Sequence, residues 1–77
     1  MYLTGRYDEA EKLLQRAVSL MPTDPIVNDH YADILFKLNR NLQANYFWKY
    51  VLSLETTEKE MIEKIKKKLI FGIQNNS

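Results

Sequence analysis

Cysteine is absent from the 77 residues, which removes disulfide staples, thiolate metal sites and cysteine nucleophiles together. Glycine is scarce: Gly5 and Gly72 stand alone, so no glycine-rich phosphate loop can form. Histidine occurs once. His30 has Asp29 beside it and Asp33 three residues on, which sets an acid near the imidazole on a helix but supplies neither a second imidazole nor a nucleophile. Neither catalysis nor a metal nor any other cofactor is expected. No apolar run approaches the roughly 18 residues of a membrane span, and residues 1–6 lack the basic start and apolar centre of a signal peptide. Charge of one sign is missing as well. The formal net charge is +1, with Glu and Lys interleaved, so no long-range field gathers nucleic acid or an anionic membrane. The compartment is left unassigned, with the cytoplasm as default.

What the chain does have is apolar content, 45% of residues, too much for a disordered segment. At this length there is room for one small core, which stabilises by about 3–5 kcal/mol. With no disulfide, that stability must come from helix packing.

An internal repeat organises the sequence. Ala10 plus 34 is Ala44, and the same offset of 34 carries Gly5 to Asn39, Arg6 to Arg40, Glu9 to Gln43, Leu14 to Trp48, Ala17 to Val51, Ser19 to Ser53 and Leu20 to Leu54. Small residues stay small and large apolar ones stay large. At 100° per residue, Ala10, Leu13, Leu14, Ala17 and Leu20 share one helix face, and Ala44, Phe47, Trp48, Val51 and Leu54 share another. Between the copies, Met21-Pro22-Thr23-Asp24-Pro25 stops one helix and starts the next, with Asp24 as N-cap and Pro25 at the first helical position. That helix runs to about Leu38 with Val27, Tyr31, Ile34, Leu35 and Leu38 on its core face, and ends at Asn39-Arg40-Asn41. Thr57-x-x-Glu60 reads as a capping box opening a last helix to about Phe71. On that helix Met61, Ile62, Ile65, Leu69 and Ile73 form one side, and Glu60, Glu63, Lys64, Lys67 and Lys68 a solvated back. Gly72 ends it, and Gln74-Asn75-Asn76-Ser77 reads as a frayed tail. An all-α fold of antiparallel helical hairpins follows.

These residues resemble the tetratricopeptide family, over about residues 5–55. Gly5-Arg6-Tyr7-Asp8-Glu9-Ala10 opens a second helix as in that family, with Leu14 in its aromatic place, Ala17 in its small one and Pro22 as the closing proline. In the complete copy Asn28, Tyr31, Ala32 and Leu35 stand where the family has Trp, Leu, Gly and Tyr, and Thr56 replaces the proline. Asn28 departs furthest and predicts looser packing at the start of its helix. The resemblance implies one domain: a partial repeat over 1–22, a complete one over 23–56, a capping helix over 57–73 and a tail over 74–77. It also implies a non-catalytic protein-interaction scaffold whose first helices line a concave groove, here with Ile26, Asp29, His30, Asp33, Phe36 and Lys37. Asp29 and Asp33 stand where the family's clamp for acidic peptide ends has Asn and basic residues, so a basic or mixed peptide is the expected ligand.

Two further surfaces qualify for contact. Leu42, Tyr46 and Tyr50 recur at i, i+4 and i+8, and either pack under the capping helix or meet another chain. Residues 1–3 read as the remnant of a first helix opposite Ala10, Leu14 and Ala17, whose stripe is then left without a partner. Repeat stacks need about three repeats, so the sequence is expected either to end a longer repeat array or to self-associate. A homo-oligomer of the isolated chain is expected, through Ala10, Leu13, Leu14, Ala17, Tyr46 and Tyr50. The competing expectation is a purely structural segment that terminates a larger repeat protein.

Overall fold

The structure, a computed structural model, describes residues 2–72, with side chains from Arg6 onward. Ile73 on the expected apolar stripe, Met1 of the expected helix remnant and the expected tail 74–77 lie outside the described residues. Four helices follow one another: α1 (Tyr2–Leu20), α2 (Pro25–Lys37), α3 (Asn41–Ser53) and α4 (Lys59–Phe71). No strand occurs among the described residues, and the fold is all-α.

Local chemistry accounts for the boundaries. Asp24 Oδ1 accepts from the free N–H groups of Ile26 at 2.8 Å and Val27 at 3.1 Å, which starts α2. After Lys37 the chain turns through Asn39 at φ 67°, the left-handed conformation that asparagine tolerates best after glycine. Gly72 closes α4 at φ 75° and ψ −174°, a region open to glycine alone. A Cβ on Gly72 would also lie 2.8 Å from Cζ of Phe36, so the backbone requires glycine there and a larger residue would displace the Phe36 ring.

Two expectations give way. Thr57 does not cap α4; it is buried and donates its hydroxyl to the Val51 carbonyl at 2.7 Å, while Glu58 takes the N-cap position without a side-chain bond. The Val51 carbonyl at the end of α3 also accepts from the Leu54 N–H at 3.1 Å, so Thr57 fills its second acceptor site inside the core. Tyr2 and Leu3 are no remnant of a separate helix, for α1 runs through Gly5 without a break.

The core lies between α2 and α3, with α1 packed on α2 and α4 on α3. Tyr31, Ala32 and Leu35 from α2, Ala44, Trp48 and Val51 from α3, and Ile65 from α4 are buried, with Leu14, Val18, Phe36, Phe47, Leu52, Met61 and Leu69 half-buried around them. Tyr31 meets Phe47 edge-on at 4.9 Å between centroids, and Phe36 meets Trp48 at 5.7 Å. The buried face of α2 is rotated from the expected one, since Asn28 and Ala32 are buried while Val27, Ile34 and Leu38 lie at the margin. Asn28 does not loosen the start of α2. Its Nδ2 donates to the carbonyls of Pro22 at 3.0 Å and Asp24 at 2.8 Å, so the buried amide fastens the α1–α2 turn to the helix.

Candidate interaction surfaces

The six residues expected to line a groove divide into two sets. Ile26, His30 and Lys37 are exposed, and Lys37 Nζ lies 5.5 Å from the centre of the Tyr7 ring on α1. Asp29, Asp33 and Phe36 are half-buried and already engaged. Lys68 of α4 donates to Asp29 Oδ1 at 3.0 Å and to Asp33 Oδ1 and Oδ2 at 3.0 and 3.2 Å. Trp48 Nε1 donates to the same Asp29 oxygen at 3.1 Å, and the Lys68 ammonium stands 5.8 Å from the Trp48 ring centre. Phe36 has turned onto Trp48 rather than outward. The basic group against the two aspartates is the chain's own Lys68 and not that of a ligand.

Burial pushes the Asp33 carboxyl above its ordinary range, and the neighbouring negative charge of Asp29 adds to that, against the hydrogen bond from Lys68. Burial alone would lower Lys68, but the hydrogen bonds it donates to Asp33 and Asp29 outweigh it and, with the charge of the two carboxylates, raise the ammonium above its usual value. Lysine between two carboxylates keeps its proton, while burial favours the protonated form of Asp33. Burial likewise raises the Tyr31 hydroxyl, with Glu11 acting in the same sense and Arg40 against it. Glu11 and Arg40 form the ion pair that ties α1 to the start of α3.

Lys68 was not legible as a ligand of α2 because it was read with the solvated back of α4. It stands seven residues after Met61 and three after Ile65, which sets it at the margin of the apolar stripe. That spacing was the available signal.

On α1, Leu14 and Val18 turn to the core, while Ala10 and Ala17 are half-covered and Leu13 and Leu20 stand 69% and 75% exposed. The stripe is therefore partly met by α2 and open along its Leu13–Leu20 side, more covered than its expected lack of any partner. Met21 and Ile26, exposed at the adjoining α1–α2 end, add to the apolar surface. On α3, Leu42 and Tyr46 are exposed rather than packed under α4, and Tyr46 touches its neighbour Phe47 edge-on at 5.2 Å; Tyr50 is half-buried. Ile70 and Phe71 at the end of α4 are 72% and 68% exposed, off the apolar stripe of that helix.

Among the described residues no group of three or more His, Cys, Asp or Glu side chains is arranged to hold a metal ion, and no helix is long and apolar enough to cross a membrane. No protein-family model, curated protein or solved structure matches the chain.

Proposed function

We propose that the chain is a short tetratricopeptide-type repeat segment working as a non-catalytic protein-interaction scaffold. It receives an amphipathic helix of a protein partner along Ala10, Leu13, Ala17 and Leu20 of α1. One observation carries the reading: residues 34 apart have the same character but unequal cover. Ala44, Trp48 and Val51 are fully buried by α2 and α4, whereas Ala10, Leu14 and Ala17 are covered on one side only. A helix face built for two neighbours that has one is a binding face for a second.

The repeat itself gains support from helix boundaries. Lys59 minus Pro25 and Phe71 minus Lys37 both give 34, and the N-caps Asp24 and Glu58 share that offset. Ile26, His30 and Lys37 remain open to a peptide ligand, but Asp29, Asp33 and Phe36 reach one only by releasing α4.

A helix-stabilised, labelled peptide of residues 24–37 imitates the helix that covers α3. Titrated against the full chain at concentrations where it is monomeric, it is expected to bind saturably, and Leu13→Glu is expected to abolish the binding. A peptide that fails to bind the unaltered chain contradicts the α1 face as a docking site and favours a purely structural segment.

A further inference from the structure

The two outer helices of the stack stand, at an offset of 34, in the places of the two that meet at its centre. α4 stands 34 residues after α2, and the α1 stripe 34 residues before that of α3. Within the molecule α2 and α3 meet through Tyr31 on Phe47 and Phe36 on Trp48, with Ala32 and Ala44 fully buried. Carried by 34, the α2 residues Tyr31, Ala32 and Phe36 become Ile65, Lys66 and Ile70 of α4, of which Ile65 is already buried in the core and only Lys66 and Ile70 face outward; carried back by 34, the α3 residues Ala44, Phe47 and Trp48 become Ala10, Leu13 and Leu14 of α1. Both outer faces present large exposed side chains: Leu13 and Leu20 on α1, Ile70 and Phe71 on α4. Because α1 packs on α2 and α4 on α3, the central pair holds these faces apart in one molecule.

We infer that the partner of the α1 face is a second copy of this chain, docked head to tail, with α1 of one copy seated on α4 of the next as α3 sits on α2. This rests on the repeat reading above and adds the identity and orientation of the partner. The two contacting surfaces differ, so the contact is heterologous: each added copy brings a fresh α1 face or a fresh α4 face, and assembly continues past two chains unless a ring closes. One substitution weakens the fit. Lys66 stands where α2 has Ala32, and the close helix approach that two small residues permit is lost; its aliphatic stem lies over Ala10 while its ammonium stays in water. The contact is therefore reversible, and it depends chiefly on Leu13 and Ile70, the counterparts of Phe47 and Phe36.

Light scattering behind a sizing column, run on the full chain over a range of concentrations, tests this. The average mass is expected to rise with concentration beyond two chains. Leu13→Glu and Ile70→Glu, both at exposed positions, are each expected to run as monomers, and an equimolar mixture of the two is expected to form a heterodimer and stop there. Each variant keeps the face that the other has lost, so restoration on mixing also shows that both are folded. Lys66→Ala is expected to tighten association by about tenfold, since it removes a charge from the edge of an apolar contact; unchanged or weaker association overturns the register. A symmetric dimer that goes no further, or association abolished by Tyr46→Glu but not by Leu13→Glu, overturns the head-to-tail contact. A chain that stays monomeric yet binds the 24–37 peptide overturns self-docking and leaves the partner-helix reading standing.

Discussion

Helices α1 and α3 carry the same apolar stripe at an offset of 34 and end in different surroundings. Trp48 is fully enclosed by α2, Lys68 and Phe36, and its indole N–H is satisfied by Asp29. Leu14, its counterpart, touches the core from one side, and Leu13, the counterpart of Phe47, stands in solvent. An apolar stripe says only that a helix can be buried; its neighbours determine how far it is. α3 therefore holds the fold, and α1 leaves apolar surface at Leu13 and Leu20 in solvent.

The largest break in that comparison comes from truncating the two counterparts in turn. Trp48→Ala is expected to cost about 3–5 kcal/mol, comparable with the whole stability of a core this small, and to abolish cooperative unfolding. Leu14→Ala is expected to cost about half as much or less, because the side chain has less contact to lose. Urea denaturation at low protein concentration measures both; equal costs would mean that α1 and α3 are equally enclosed.

The next effects concern α4, which closes the α3 side. Gly72→Ala is expected to cost about 1–3 kcal/mol from backbone strain alone and to shift the Phe36 ring, read as a change in Trp48 fluorescence. Lys68→Ala leaves two half-buried carboxylates facing each other and is expected to cost about 1–3 kcal/mol. Asp33→Asn is expected to cost less, because it removes the carboxylate that burial already disfavours while Asp29 still holds Lys68.

The smallest effect is in pH. Asp33 is raised in the fold, so between its folded and unfolded values the native state binds the extra proton, and stability from this group rises as pH falls through that window. Lys68 is raised too, so its contribution is complete below the ordinary lysine value of 10.5 and is lost as pH rises through the folded one. Thermal melts are expected to show the α2–α4 tie failing in alkali rather than in mild acid, and Lys68→Ala is expected to flatten the alkaline limb. An alkaline limb unchanged in that variant would remove the lysine from this tie.

Much of the architecture could be read from residues in sequence. Asp24-Pro25 started α2, Asn39 took the left-handed turn, Gly72 ended α4, and the apolar periodicity gave helices throughout. What escaped was settled by contacts distant in sequence. Thr57 had a capping-box partner at Glu60, but a buried carbonyl at Val51 competed for its hydroxyl and won. Asn28 looked like a defect until two carbonyls of the preceding turn came within reach of its amide. Asp29 and Asp33 suggest a basic ligand from outside the chain, but they are engaged by Lys68, 35 residues beyond Asp33, and nothing local in the sequence says so. The open side of α1 was legible in outline from the repeat; the share of it that α2 covers was not.

Amide hydrogen exchange, followed helix by helix as protein concentration is raised, tests the inequality of α1 and α3 most directly. At high dilution α3 amides are expected to exchange only through global unfolding and α1 amides through a lower-energy local opening, with α1 protection climbing as concentration rises while α3 stays constant. Equal protection of the two helices, unmoved by concentration, would contradict the claim that α1 presents an open, dockable face.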